Sequence, residues 1–321
     1  GIKLEARIPF SGGIHDRESG KRNDANYIAE QLANPKAELL VFQTSMPFFA
    51  TDAIAPLRLS CNALTQFGKI AVGPIYLGKS EANIPLFAIE LSASFDLETS
   101  ILKGMGSFCE LRQVMSKLLS EDLAILGVAR SLFDWHKRHR YCANCGAPTD
   151  VVDAGWKRLC PSCKTEHFPR TDPVAIMLVV DGDKCLLGNS PRFPRAFFSC
   201  LAGFIEPGET VEEACRREVF EEVGVVVSDC QIIGNQPWPF PSQLMIGIIA
   251  IAETTDITID LEEIAEARWF TKKQVTKMLD GGALIENERF VGPPNVAIAH
   301  HIIKHWLETP GHKLSNLRGV T

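Results

Sequence analysis

The stretch GFIEPGETVEEACRREVFEEVGV, residues 203–225, decides the fold. Thr210, followed three residues on by Glu213, has the signature of a capping box that starts a helix, and Gly224 supplies a stop suited to left-handed geometry. A helix of about four turns results. Glu218, Glu221 and Glu222 then fall at i, i+3 and i+4, so their carboxylates share one face. Like charges so placed repel by roughly 0.2–0.5 kcal/mol per pair, a conflict that a bound divalent cation removes. Such hard oxygen ligands suit Mg²⁺ or Mn²⁺. Arg217 can orient a glutamate through a charge-assisted hydrogen bond, while Gly203 and Gly208 let the preceding loop turn tightly against the helix. A solvated acidic helix is the bland alternative, and the glycine punctuation counts against it.

Around this helix the pattern alternates between strands and loops. VAIMLVV at 174–180 and KCLLGN at 184–189 flank a DGD turn and predict a hairpin, and VAIAHHIIKHWL, within Asn295 to Leu307, predicts a closing helix after two prolines. AELLVFQ (37–43) and KIAVGPIYLG (69–78) predict strands in an N-terminal region without a chemical motif. Residues 120–140 predict a helix with Ser120 as its cap. No internal repeat is legible. The class is mixed α/β, divided into 1–138, 139–170, 171–312 and a tail at 313–321.

Cys142, Cys145, Cys160 and Cys163 form CANC and CPSC, two knuckles able to present four thiolates tetrahedrally to one structural Zn²⁺. Two disulfides are the alternative. The other six cysteines are scattered in apolar surroundings and read as buried small residues. The basic stretch His136 to Arg140, with Lys157 and Arg158, could hold nucleic acid, although a solvated basic helix end explains it first.

The 321 residues can bury a substantial core, and a net charge of -6 argues against a surface built for non-specific nucleic-acid binding. The opening residues lack the apolar core of an export signal, and GVT is no peroxisomal address. The apolar runs are shorter than the roughly 20 residues that span a bilayer. The expectation is a cytoplasmic protein without a membrane segment.

Residues 203–225 resemble the Nudix box, G-x5-E-x7-R-E-U-x-E-E-x-G-U, at every defined position, Val219 and Val225 included. Downstream, Gln236-Pro237-Trp238-Pro239-Phe240-Pro241 is similar to the SQPWPFPxS signature of the NADH pyrophosphatase branch, whose members also carry a four-cysteine ribbon before the box. Asn235 and Gln243 stand where that signature has serines. The resemblance covers roughly residues 142–306 and implies a Nudix α/β/α sandwich with a mixed sheet, preceded by the zinc ribbon and a smaller mixed N-terminal domain.

It also implies hydrolysis of NADH, and less efficiently NAD⁺, to nicotinamide mononucleotide and AMP by metal-activated water, and removal of NAD caps from RNA 5′ ends at the same site. Carried over by position, metal ligands would be Glu218, Glu222 and Glu263 with the Ala202 carbonyl, and Glu221 would serve as ligand or base; Glu266 competes with Glu263. Phe168 stands where the family places a tyrosine against the substrate. Phe204 could stack on adenine, and Gln236 to Pro241 with Ala299 could line the nucleotide pocket. Core packing is the alternative for each aromatic. By the same resemblance the N-terminal domain assists a homodimer. An alternative of another class is a catalytically silent zinc-ribbon binding protein.

Overall fold

A computed structural model describes residues 8–52 and 54–309. The tail at 313–321 and the first seven residues lie outside the described residues. Chain contacts divide the molecule into two compact units: Pro9–Thr171 with Pro237–Ser242, and Asp172–Gln236 with Gln243 onward, joined by Ile8.

The first unit contains α1 (Ala25–Leu32), β1 (Glu38–Gln43), β2 (Met46–Ala50), β3 (Leu59–Ser60), β4 (Ile70–Lys79), β5 (Pro85–Leu91), β6 (Gly106–Phe108), α2 (Leu111–Val114) and α3 (Ser120–Arg138). Its sheet runs β4-β5-β1-β2-β6, with β3 pairing β1. Leu39 and Val41 enter one core with Tyr76, Phe87 and Ile89, while Phe42 turns to the other face and meets Phe133 of α3 at 5.1 Å between ring centroids. A strand buried on both faces has no polar alternation, which is why AELLVFQ reads as an apolar run. Ser120 is not the cap of α3: that place belongs to Leu119, and the buried Ser120 hydroxyl finds no partner. Glu121 and Asp122 supply the negative charge favoured at a helix start. The ribbon adds β7 (Asp150–Val152), β8 (Lys157–Leu159) and β9 (Glu166–His167), a three-stranded sheet.

The second unit contains β10 (Asp172–Asp181), β11 (Lys184–Asn189), β12 (Leu201–Phe204), α4 (Val211–Val223), β13 (Val227–Trp238), β14 (Gln243–Ala252), β15 (Glu266–Thr271), α5 (Lys272–Leu279), β16 (Ala283–Ile285), β17 (Glu288–Phe290) and α6 (Ile298–Glu308). The sheet order is β13-β14-β10-β11-β15, with β12 pairing β10. Alternation along the central strand is plain: Ala175, Met177 and Val179 pack with Ala214, Val219 and Val223 of α4, while Ile176, Leu178 and Val180 pack with Ile298, Ile302 and Trp306 of α6. Helices cover both faces, giving the α/β/α sandwich.

The two sheets share one plan. Each has its first strand parallel to its fifth and antiparallel to its second and third, and its sixth antiparallel to its second, so β1 to β6 repeat β10 to β15 in order. No internal repeat is legible in the sequence, yet the strand order repeats. The repeat is hidden because the segment between β3 and β4 holds only a six-residue 3₁₀ stretch at Cys61–Gln66 where the second unit has α4.

The closing helix begins at Ile298, three residues later than its periodicity suggests. Gln236 explains the start. Fully buried, it accepts from the Ile298 N–H at 2.8 Å and donates to the Val296 carbonyl at 2.8 Å, a side-chain cap supplied from β13. Gln236→Ala leaves both groups buried and unpaired, and is expected to destabilise the protein by about 1–3 kcal/mol per group. A thermal melt checks this: an unchanged Tm contradicts the capping role.

Candidate active site

The capping box at Thr210 and Glu213 forms as expected, and α4 closes on Gly224 at φ 70°. The loop after β14 then docks on the free end of this helix: the Thr258 N–H donates to the Val223 carbonyl at 2.9 Å and the Asp260 N–H to the Glu222 carbonyl at 3.0 Å. These bonds satisfy carbonyls that a helix C-terminus otherwise leaves open. They also carry Glu263 to α4, where oxygens of Glu218, Glu222 and Glu263 lie within 4.8 Å of one another. Glu266 goes elsewhere, pairing with Arg268 on β15.

The box glycine has a steric reason. Gly203 lies opposite Ala175 in the β12–β10 pairing, and a Cβ there would coincide with the Glu218 carboxyl group. Arg217 binds both oxygens of Glu209 at 2.5 and 2.9 Å, reaches Glu218 and Glu221 at 2.9 Å, and donates to the Phe204 carbonyl at 3.0 Å. One guanidinium thus fixes the loop, the helix and the Glu218 carboxylate together. Its hydrogen bonds, with one from the Glu206 N–H, hold Glu209 down at a pKa of about 2.

Glu222 behaves in the opposite way. Burial first, then the charges of Glu218, Glu263 and Glu221, push it up to about 8, and burial also raises Glu218. The Glu222 Oε2 atom is buried without a hydrogen-bond partner. Three converging carboxylates with an orphaned buried oxygen fit a hard divalent cation. Glu221 is half exposed and outside this trio, paired with Arg217.

The four ribbon cysteines also converge, their sulfurs lying within 4.8 Å of one another. Matching turns build the knuckles: the Gly146 N–H donates to the Cys142 carbonyl at 2.9 Å and the Lys164 N–H to the Cys160 carbonyl at 3.0 Å, both residues with positive φ. All ten cysteines are unbridged. The basic flank divides. Arg158 is buried and spent on Thr149 and His136, and burial holds His136 down near pKa 4 while its Nε2–H donates to the Gly155 carbonyl at 2.7 Å. Lys137 and Arg140 are exposed, and Arg138 pairs with Asp134.

Phe168 and Phe204 are 63% and 54% exposed, so neither ring is core filler. Ala202 is exposed beside Gly203, whereas Ala299, in the first turn of α6, is buried in the core. Gln236 is occupied by α6. Pro237 is exposed at the end of β13, and Trp238 and Phe240 pack edge-on at 5.2 Å, with Phe10 against both. Arg130 donates to the Pro239 carbonyl at 2.6 Å and Ser131 to the Pro241 carbonyl at 2.8 Å, so α3 holds this segment. The sequence reading missed Arg130 and Ser131, which carry no local signal of that role.

Family models match in three consecutive blocks: an NADH pyrophosphatase-like rudimentary NUDIX domain at residues 36–135, an NADH pyrophosphatase zinc ribbon domain at 137–168 and a NUDIX domain at 169–289. The NAD-capped RNA hydrolase NUDT12 of Homo sapiens is 49% identical over 344 residues, covering 93% of this chain and 73% of that protein. The chain belongs to the NADH pyrophosphatase family of Nudix hydrolases. Within this family, the mitochondrial NAD(P)H pyrophosphatase NUDT13 of Homo sapiens is 40% identical, covering 84% of this chain and 83% of that protein. The NAD-capped RNA hydrolase NudC of Stutzerimonas stutzeri is 40% identical over 58% of this chain and 65% of that protein. The rudimentary N-terminal match agrees with a Nudix-like sheet lacking its box helix.

The Glu222 shift has a testable sign. With a folded pKa near 8 against an ordinary 4.5, the metal-free protein holds a proton that the unfolded chain releases, so stability falls as pH rises from about 4.5 to about 8. Glu222→Gln is expected to flatten that fall and to remove the gain in Tm on adding Mg²⁺ or Mn²⁺. Melts at pH 5 and 8 check this, and a variant with the wild-type pH slope contradicts it.

Proposed function

We propose that the chain hydrolyses the diphosphate of NADH, and less efficiently of NAD⁺, to AMP and the nicotinamide mononucleotide in the oxidation state of the substrate, reduced from NADH and oxidised from NAD⁺. The observation that carries this reading is the Glu218–Glu222–Glu263 trio with its unpartnered buried oxygen, set in a Nudix box. The family and the names of its relatives supply the substrate.

Glu218, Glu222 and Glu263 would hold Mg²⁺ or Mn²⁺, with the Ala202 carbonyl as a further donor. A cation held there supplies Lewis acidity toward the attacking water and offsets charge on the diphosphate. Arg217 keeps Glu218 aimed and braces the loop before α4. Glu221, outside the trio and open to solvent, takes the proton from water. Phe204 and Phe168 have exposed rings on which a base can stack, and by family resemblance Pro237, Trp238, Phe240 and Pro241 contribute to substrate binding, whereas Pro239 and Ala299 are buried. One Zn²⁺ on the four cysteines shapes the ribbon and takes no part in the chemistry. A reducing, cytoplasmic setting is supported by ten unbridged cysteines. Among the described residues no helix is long and apolar enough to cross a membrane. A homodimer is part of the proposal by family resemblance.

A second reading, cleavage of NAD-capped RNA at the same site, is favoured by the names of two relatives. A silent binding protein is disfavoured by the intact carboxylates.

Incubation with NADH, NAD⁺, ADP-ribose, diadenosine polyphosphates and NAD-capped RNA, in Mg²⁺, Mn²⁺ or EDTA, tests these readings together. Equimolar AMP and reduced nicotinamide mononucleotide from NADH are expected, abolished by EDTA. Glu221→Gln is expected to lower kcat about 100-fold or more. Products that include free nicotinamide, or a rate indifferent to EDTA, contradict the proposal.

A further inference from the structure

The loop between β11 and β12, SPRFPRAF at residues 190–197, has no part in the site described above. Asn189 ties it to that site. This buried side chain donates to the Pro194 carbonyl at 2.9 Å and the Phe197 carbonyl at 2.6 Å, which folds the loop, while the Asn189 backbone carbonyl accepts the Ala265 N–H at 2.8 Å. Ala265 lies two residues after Glu263. The loop that presents the third carboxylate and the 190–197 loop are therefore anchored on one residue.

The far end of the loop is fastened as well. Phe197 bridges to Val291, and the Val291 N–H donates to the Ala196 carbonyl at 2.7 Å. Between these anchors the tip carries Phe193, 54% exposed, its ring 5.1 Å from that of Phe197. Beside it, Arg192 makes no ion pair among the described residues, and Arg195 has a single pairing, with Glu288 at 3.2 Å, that leaves its side chain 84% exposed. A ring this exposed keeps a face open for a stacking partner, between two guanidiniums that leave the tip positively charged.

Resting on the capped-RNA reading above, we propose that Arg192, Phe193 and Arg195 bind the first nucleotides of an RNA chain whose 5′ dinucleotide occupies the carboxylate site. The chemistry fits a single strand: a ring on which a base can stack without sequence preference, flanked by guanidiniums for successive phosphates. A free dinucleotide lacks the following nucleotides and their phosphates, which are the groups this loop is suited to bind. The anchored base of the loop holds the stacking ring in place, so ordering costs at binding are small.

The test uses the full chain. Specificity constants for NADH and for an NAD-capped RNA of about ten nucleotides are measured for wild type, Phe193→Ala and Arg192→Ala/Arg195→Ala at two salt concentrations. Expected is a loss of about tenfold on capped RNA in each variant, with NADH cleavage within about twofold of wild type. The double arginine variant should also show a shallower salt dependence, by roughly one unit of log–log slope per phosphate contact removed. Equal losses on both substrates, no loss on capped RNA, or a wild type that cleaves NADH but not capped RNA overturns the inference and leaves the NADH reading standing. Failure of the wild type on NADH overturns that reading instead.

Discussion

The site depends on forcing three carboxylates into one partly buried space. Glu218 and Glu222 are held there by α4, and Glu263 is delivered by a loop whose N–H groups satisfy the last carbonyls of that same helix. Without a cation this arrangement is self-repelling, and the molecule responds by keeping a proton on Glu222 up to about pH 8. The surrounding features follow from that constraint. Gly203 is needed because any side chain there would occupy the place of the Glu218 carboxyl, and Arg217 is needed to aim Glu218 and to offset part of the effect of its burial.

Much of this was legible in the sequence because it is local. Helix periodicity set the spacing of Glu218, Glu221 and Glu222, the capping box and Gly224 set the ends of α4, and paired CxxC knuckles announced the convergence of four thiolates. Choosing Glu263 over Glu266 was not legible, since it depends on which residue follows the tertiary bonds from Thr258 and Asp260 to α4. Nor could the sequence separate Glu221 from the trio: all three box glutamates share a face, and only the approach of the loop decides which two meet Glu263.

Other differences have the same origin. Gln236 reads as part of a proline-spaced surface motif, yet it is buried and spent on the start of α6, sixty residues away in sequence. Arg158 reads as part of a basic patch, but its guanidinium is consumed by Thr149 and His136. The N-terminal sheet repeats the order of the catalytic one, a relation invisible to motifs because the box helix, the only part with a chemical signature, is the part it lacks. Strand order leaves no mark in composition or periodicity.

The most direct measurement of the central claim is the number of protons released as Mn²⁺ binds, obtained by calorimetric titration in two buffers of different ionisation enthalpy. A cation that displaces the proton from Glu222 should release about one proton at pH 6 and almost none at pH 9.5, and Glu222→Gln should remove the difference. Tight Mn²⁺ binding at pH 6 with no proton released would contradict the account.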